Sequence, residues 1–542
     1  MSSAHVDPFV RDRLPPPELL PRFVYELPAL QFGAQLNCAG ALLDRWVGQG
    51  DGERLAVLGA APDDAPIRWR YAELQAQANR IARVLVEDLG LVPGNRVLLR
   101  GANSPMLAAC WLGVVKAGGI AVGTMPLLRA RELTTIVHKA EISHALVDAR
   151  LADELTLAMP QCPTLAQVLH FNGGEAAGLE AAAAAKPTTF DNVDTAADDT
   201  CLIAFTSGTT GQPKAALHSH RDVMAACACW PPHVLRATPG DRVIGSPPLA
   251  FTFGLGGLLL FPLSIGAACV LVEKTSPDAL PAAIARYRAT ICYTSPTAYR
   301  AMAAQLGPHD LASLRKCVSA GEALPAATRK LWKDATGIEI IDGIGSTELL
   351  HIFISATEEQ ARGGATGFVV PGYQACVLGD DGRPLAPGQV GRLAVRGPTG
   401  CKYLDDERQA SYVQDGWNLT GDAYLIDVAD GQFVYQARTD DMIISGGYNI
   451  AGPEVEGALL LHPAVAECGV IGVADEQRGQ IVKAFVVLQP GHAGDAAMAK
   501  ALQDFVKQTV APYKYPRAIE FCASLPRTET GKLQRFKLRA GS

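Results

Sequence analysis

The sequence predicts an α/β protein. We expect a large N-terminal domain of parallel α/β sheets with a β-rich subdomain, followed by a small mobile α+β C-terminal domain. Three patterns predict this class: helical and strand-like apolar periods alternate up to about residue 350, short β-rich pieces fill residues 366–436, and a compact helix-and-strand pattern follows residue 438. The expected units are therefore residues 1–437, a hinge at 438–441 and a lid domain at 442–542.

The first part of the chain supplies the alternation that indicates parallel sheets. Its apolar residues predict helix 74–89, strand 94–100, helix 107–116, strand 119–123, helix 131–139 and strand 145–147. Strands joined through helices pair in parallel. Residues 172–199 are rich in Ala, Asp and Thr without an apolar period, so we expect a surface connection there.

The last hundred residues have a different pattern. They predict helix 453–461, strand 467–473, strand 481–488, helix 496–510 and strand 518–522. This set is sufficient for a compact α+β unit with its own core.

The composition excludes several classes of protein. The chain has 542 residues, 48% of them hydrophobic and 19% charged, and a net charge of −7, so we expect large cores and no nucleic-acid partner. Its 13 cysteines include no C-x-x-C pair, and many lie in apolar runs. Reduced thiols in a cytoplasmic protein are therefore expected, rather than a disulfide framework or a zinc motif.

The N-terminal residues and the long uncharged segment are the candidates for membrane-targeting or membrane-spanning elements, and the sequence favours neither. The N-terminal residues lack the apolar stretch of a signal peptide. Residues 243–272 carry no Asp, Glu, Lys or Arg, but prolines and glycines divide them into short pieces. We expect a buried cleft wall there and no contact with a membrane.

One run has the composition of a phosphate-binding loop. Its glycines allow close backbone approach to a ligand, its hydroxyls and amides can donate to phosphate oxygens, and its lysine adds positive charge. The residues of this run are Thr206, Ser207, Gly208, Thr209, Thr210, Gly211 and Lys214. Residues 201–205 and 215–219 are strand-like, so the loop is expected at a hairpin tip, unlike a Walker motif. On these residues alone, a turn without a ligand remains the alternative.

The run Ser-Gly-Thr-Thr-Gly-x-Pro-Lys resembles the signature of the adenylate-forming superfamily, which includes acyl-CoA synthetases, peptide-synthetase adenylation domains and luciferases. The resemblance extends through several motifs from about Arg68 to Arg539. It implies ATP and coenzyme A as co-substrates and Mg²⁺ as the metal.

Two motifs follow strand-like runs, where α/β sheets bind ligands. The resemblance implies that these motifs line the nucleotide, including its adenine, through Gly321, Glu322, Ala323, Asp342, Gly343, Ile344, Gly345, Ser346 and Thr347. It also implies that Thr347 contacts the α-phosphate and that Glu348 binds Mg²⁺. An isolated Ser-Thr-Glu would instead indicate a helix cap.

The resemblance also implies a ribose site and a catalytic lysine. Asp422, in Leu419-Thr-Gly-Asp422, corresponds to the carboxylate on the ribose hydroxyls, and Arg438 to the arginine beside it. Lys532, in Arg527-Thr-Glu-Thr-Gly-Lys532, corresponds to the lysine between carboxylate and phosphate. Acetylation would remove its charge, so a protein acetyltransferase is an expected partner at Lys532. A solvated basic tail is the alternative interpretation.

Positions between the two domains are assigned in the same way. Asp440 matches the family's hinge, and Gly446, Gly447 and Tyr448 match the segment that lines the pantetheine tunnel of CoA. Without the resemblance these glycines would indicate a plain turn.

The acyl pocket is expected to hold a small aromatic acid. Ser-Thr-Glu-x-Leu-His-Ile-Phe resembles benzoate-CoA ligases, which places Phe251, Thr252, Phe253, Gly345, His351 and Ile352 around the acid. Thr252-Phe253 stands where the benzoate pattern has Ala-Tyr, and Phe9-Val-Arg-Asp-Arg-Leu-Pro-Pro16 resembles 2-aminobenzoate-CoA ligases. The expected substrate is therefore 2-aminobenzoate, with benzoate or another small substituted benzoate next. A core histidine is the alternative for His351.

These motifs together predict an AMP-forming aryl-CoA ligase. A stand-alone enzyme that loads a carrier protein is the first alternative; a long-chain acyl ligase fits the aromatic gate poorly, and a nucleotide sensor would not need Lys532 and Glu348. A homodimer is compatible with the resemblance.

Overall fold

The computed structural model describes residues 3–174, 178–206, 213–307, 309–439, 441–445, 448–475, 478–510, 512–527 and 532–540. Within them the chain forms two largely parallel sheets in the N-terminal part, a β-rich subdomain and a small C-terminal α+β unit. The predicted fold class is confirmed.

The first sheet carries the predicted hairpin. Its strands, in spatial order, are β6 (Gln167–Phe171), β5 (His144–Asp148), β3 (Arg96–Arg100), β4 (Ile120–Thr124), β7 (Thr200–Thr206) and β8 (Lys214–Ser219). Neighbours pair in parallel except β7 and β8, which are antiparallel. Strands β3 and β5 are buried throughout, as expected when helices cover both faces of a parallel sheet.

The second sheet has nine strands. In spatial order they are β15 (Phe368–Val369), β14 (Ile352–Ser355), β13 (Ile340–Gly345), β12 (Lys316–Ser319), β11 (Ile291–Thr294), β9 (Arg242–Gly245), β10 (Ala268–Leu271), β1 (Leu55–Ala60) and β2 (Pro66–Arg70). The pairs from β13 through β1 are parallel, and the edges are antiparallel. The carboxyl ends of β12 and β13 therefore meet at one edge.

The β-rich subdomain and the C-terminal unit each have a five-stranded sheet. The subdomain contains β16 (Gln374–Leu378), β17 (Gly391–Arg396), β18 (Val413–Gln414), β19 (Trp417–Ile426) and β20 (Phe433–Arg438). The C-terminal sheet contains β21 (Ile443–Ser445), β22 (Tyr448–Ile450), β23 (Val465–Asp475), β24 (Gly479–Leu488) and β25 (Ala518–Phe521).

The helices lie between and around these sheets. Those of the described residues are α1 (Arg45–Gly48), α2 (Tyr71–Arg83), α3 (Pro105–Lys116), α4 (Ala130–Ala140), α5 (Asp153–Ala158), α6 (Leu179–Ala184), α7 (His220–Trp230), α8 (Thr252–Leu255), α9 (Phe261–Ile265), α10 (Leu280–Tyr287), α11 (Pro296–Ala303), α12 (Ala326–Thr336), α13 (Gln409–Tyr412), α14 (Gly452–Leu459), α15 (Ala496–Thr509) and α16 (Arg535–Ala540).

One core joins the two large sheets. It combines Leu99 of β3 and Trp111 of α3 with Tyr293 of β11 and Ile341 of β13. Helix α7 enters this core directly after the hairpin, because Ser219 and Asp222 form a capping box in which each side chain accepts the other residue's amide. The N-terminus of α7 therefore fixes the base of the hairpin.

The long uncharged stretch 243–272 is divided as expected. It forms β9, α8, a π-helical turn Gly256–Leu260, α9 and β10. Gly266 ends α9 with φ 73°, a left-handed conformation that glycine adopts without strain. None of the helices in the described ranges is both long and apolar enough to cross a bilayer.

Candidate active site

The hairpin tip presents Lys214 to an aromatic residue that the sequence did not single out. Thr206 pairs with Lys214 across the hairpin; the predicted loop residues Ser207, Gly208, Thr209, Thr210 and Gly211 lie outside the described part of the chain. The Lys214 ammonium donates to the Tyr403 hydroxyl over 3.2 Å and lies 5.1 Å from the centre of that ring. Lys214 is therefore oriented by Tyr403.

Tyr403 also contacts the predicted metal ligand. Its hydroxyl donates to Glu348 over 2.5 Å, and both side chains are buried. Burial and the neighbouring Glu348 carboxylate raise the pKa of Tyr403, so its hydroxyl keeps its proton and can donate. Tyr403 reaches this position because its segment pairs with β8: Leu217 donates to Lys402, and Leu404 to Ala215. No local sequence pattern marks it.

The turn after β13 is fixed by three side chains. His218 Nε2 donates to the Thr347 carbonyl over 2.8 Å, and burial lowers the pKa of His218 to about 4, which keeps the ring neutral. The Ser346 and Tyr412 hydroxyls lie 3.3 Å apart. Thr347 and Glu348 are therefore held against the hairpin.

The two predicted adenine segments come together at the ends of β12 and β13. Gly321 adopts φ 90°, and a Cβ atom there would lie 3.7 Å from Lys532 Cε. Glu322 accepts from the Thr297 hydroxyl over 2.7 Å and from Arg527 over 3.1 Å; burial raises its pKa. Ala323 is exposed beside it.

The opposite segment contains a buried carboxylate. Asp342 is 7% exposed, and its Oδ1 has no hydrogen-bond partner among the described residues. Burial raises the pKa of Asp342 to about 7, against the opposing effect of Arg329. Gly343 and Ile344 continue β13 to Gly345, where a Cβ atom would lie only 2.6 Å from the His351 carbonyl oxygen. Glycine is required at that close approach.

Asp422 and Arg438 lie opposite each other on β19 and β20. Arg438 donates to Asp422 over 3.4 Å and to the Thr420 carbonyl over 2.9 Å. Burial raises the pKa of Asp422, whereas Arg438 and Lys532 oppose this shift. Lys532 is thus brought near Gly321, Glu322 and Asp422, which belong to different sheets.

The C-terminal unit contacts the large domain through arginines. Arg527 joins Glu322 to Glu467 of β23, with a distance of 2.8 Å to Glu467. Arg300 of α11 donates to the carbonyls of Ala466 and Val465. The predicted hinge Asp440 and the glycines Gly446 and Gly447 lie outside the described residues; Tyr448 begins β22 and pairs with Ser445.

The predicted acyl residues surround a set of aromatic rings. Thr252 begins α8 and is 7% exposed, with the partly buried Phe251 and Phe253 on either side. His351 Nε2 donates to the Phe253 carbonyl over 3.3 Å, and burial lowers the pKa of His351 to about 3. A Cβ atom on Gly343 would lie 2.7 Å from Ile352, which places Ile352 directly against that strand.

Three further aromatic residues, which no sequence pattern identified, complete this set of rings. Trp230, Phe261 and Tyr293 are buried, and their rings lie within 6.1 Å of one another or of His351. Phe253 lies 5.7 Å from Tyr293 and 5.6 Å from His351. They come from α7, α9 and β11, so only the tertiary structure brings them together.

Comparisons with known proteins identify the family of this chain. The model of the AMP-binding enzyme family matches residues 43–402, and that of the AMP-binding enzyme C-terminal domain matches residues 454–532. The benzoate–CoA ligase of Thauera aromatica is 35% identical over 519 residues, 95% of this chain and 97% of that protein.

Two solved structures are similar along most of the chain. The anthranilate CoA ligase AuaEII, in complex with anthranoyl-AMP, has a TM-score of 0.90 and 35% identity over 95% of this chain and 99% of that one. A benzoate CoA ligase from Burkholderia xenovorans LB400 has a TM-score of 0.83 and 31% identity over 93% and 100%.

Asp342 generates a prediction about pH. Because its folded-state pKa lies above the ordinary value, stability is lost as pH rises from about 4 to about 7, where the buried carboxyl must ionise. Asp342→Asn removes this cost. The melting temperature of the variant minus that of the wild type should therefore be larger at about pH 8 than at about pH 5.

Differential scanning fluorimetry at both pH values measures this difference. Asp334→Asn, an exposed carboxylate on α12 paired with Lys330, is the matched control. An equal difference at both pH values for Asp342→Asn would contradict the assignment.

Proposed function

Because this chain belongs to the AMP-binding enzyme family and is an AMP-forming acid–CoA ligase, we propose that it activates a small aromatic carboxylate, with 2-aminobenzoate as its substrate. The acid is first joined to AMP with release of pyrophosphate, and the aryl group then passes to the CoA thiol.

The aromatic set around His351 is the observation that carries this proposal. Phe253, Phe261 and Tyr293 surround His351 and Trp230 at ring distances of 4.5–6.1 Å. A long alkyl chain would have to displace these buried rings, which dense protein interiors resist. A flat aromatic acid against the partly buried Phe253 ring would make offset or edge contacts, which are favourable.

Two polar groups support an amino substituent. His351 Nε2 donates to Phe253, so Nδ1 is the nitrogen with a free lone pair, and it has no partner among the described residues. A ring amino group would donate to it. The buried Thr252 hydroxyl is the second candidate partner. The names of the similar anthranilate and benzoate ligases point to the same class of acid.

The nucleotide would lie between the hairpin and the ends of β12 and β13. Lys214 and the loop after Thr206 would hold phosphate oxygens, and Asp422 with Arg438 the ribose. Glu348 offers hard carboxylate oxygens, which fit Mg²⁺, and the Thr347 hydroxyl would contact the α-phosphate. Mg²⁺, when bound, would neutralise phosphate charge.

Lys532 would reduce the electrostatic repulsion in the first step. A carboxylate must approach the α-phosphorus of ATP, so two anionic groups meet. The position of Lys532 near Gly321 and Asp422 is suited to an ammonium that stabilises the developing charge. Rotation of the C-terminal unit about Asp440 would then withdraw Lys532 and admit CoA along Gly446, Gly447 and Tyr448.

A panel of acids tests the proposal. The purified enzyme is given ATP, Mg²⁺ and CoA with 2-aminobenzoate, benzoate, the hydroxybenzoates or octanoate, and thioester formation is followed. The highest kcat/KM is expected for 2-aminobenzoate. A higher value for benzoate would contradict the assignment of an amino substituent on the ring. A higher value for octanoate would contradict the assignment of an aromatic substrate.

Thr252→Ala should shift selectivity toward benzoate. Loss of one hydrogen bond, worth about 0.5–1.5 kcal/mol, corresponds to a loss of about threefold to tenfold in preference for 2-aminobenzoate. The ratio of kcat/KM for the two acids measures it, and Thr252→Ser, which keeps the hydroxyl, is the control. If both acids lose equally, Thr252 bonds its own backbone instead.

Lys532→Ala should slow adenylate formation by about 10²–10³-fold, since a charge that stabilises the transition state is removed. Acid-dependent exchange of pyrophosphate with ATP measures this step. Synthetic aryl-adenylate plus CoA measures the second step, which should be slowed far less. Lys537→Ala, an exposed lysine on α16, is the control. Equal loss in both steps would contradict the role.

A further inference from the structure

Two cysteines and a histidine from three distant segments meet beneath the hairpin. Cys38 lies ahead of α1, Cys201 is the second residue of β7 and His220 is the first residue of α7. Their side chains are 0%, 0% and 1% exposed. The donor atoms of all three lie within 4.8 Å of one another. None of them belongs to the candidate active site.

The distances suit a metal ion with sulfur and nitrogen ligands. The Cys38 and Cys201 sulfurs lie 3.9 Å apart, and His220 Nδ1 lies 3.2 Å from the Cys38 sulfur. Tetrahedral zinc, with bonds of about 2.3 Å to sulfur and about 2.0–2.1 Å to nitrogen, places two sulfurs about 3.8 Å apart and sulfur and nitrogen about 3.6 Å apart. These two distances differ from the tetrahedral values by only a few tenths of an ångström, and the Cys201 and His220 donor atoms lie within 4.8 Å of each other.

The protonation state of His220 is the one that a metal needs. The Cys38 amide donates to His220 Nδ1 over 3.1 Å, so Nδ1 is the unprotonated nitrogen, and a metal bond would take the place of this hydrogen bond. Two thiolates and a divalent cation also sum to zero charge, which reduces the cost of burying them. Zinc is therefore favoured over a monovalent ion, which would leave net charge in the core.

We propose that Cys38, Cys201 and His220 bind a zinc ion. The ion would join the N-terminal segment to the start of β7, the strand that leads into the phosphate loop, and so hold the base of the hairpin. The cysteines are 163 residues apart in the chain, which is why their spacing does not resemble a C-x-x-C zinc motif.

The test measures metal directly. The full chain is purified without chelator from zinc-supplemented cells, and elemental analysis is expected to give about one zinc per chain. After zinc is replaced with cadmium, an ultraviolet charge-transfer band from cadmium–thiolate bonds is expected. Cys38→Ser and Cys201→Ser should lose the band, and His220→Ala should hold zinc more weakly against a competing chelator.

Cys110→Ala is the matched control, because Cys110 is equally buried but lies on α3; it should keep both zinc and the band. Zinc well below one per chain, together with no band in the wild type, would overturn the proposal even if the cysteine variants fail to fold. A Cys38–Cys201 disulfide in metal-free protein would overturn it as well.

Discussion

The hydroxyl of Tyr403 joins the parts of the candidate active site. It accepts from Lys214 at the hairpin tip and donates to Glu348 after β13. These residues come from the six-stranded and nine-stranded sheets, and Tyr403 itself lies in the segment that follows β17. Burial keeps the hydroxyl protonated, so one side chain can serve a cation and a carboxylate together. This pair of hydrogen bonds links Lys214 to Glu348.

The remaining residues are placed by strand ends. Strands β12 and β13 end side by side. Gly321, which follows β12, therefore lies at the same edge of the sheet as Gly345 and the turn that contains Thr347. Strands β19 and β20 pair Asp422 with Arg438. The C-terminal unit adds Lys532 to this edge while Arg527 contacts Glu322. An acid, a triphosphate and a positive charge from the second unit would thus meet at one edge, as the proposed first step requires.

The sequence predicted what local patterns encode. The hairpin, the helix-strand alternation and the strands of the C-terminal unit follow from apolar periodicity, and the motifs around Lys214, Asp342 and Lys532 follow from family resemblance. The predicted helix 74–89 is α at Tyr71–Arg83 and continues as a π-helical turn at Val84–Asp88. Tyr403, Trp230 and Tyr293 were missed because their roles arise from tertiary contacts. The cluster of Cys38, Cys201 and His220 was missed for the same reason.

The most direct measurement compares Tyr403→Phe with the wild type in adenylate formation over a Mg²⁺ titration. Loss of hydrogen bonds to two charged groups should slow this step by about 10–100-fold and raise the Mg²⁺ needed for half-maximal rate. Thioester formation from supplied adenylate should change little. Tyr373→Phe, which removes a buried hydroxyl bonded to Thr399, is the control. An unchanged Mg²⁺ dependence, or equal loss in both steps, would contradict the account.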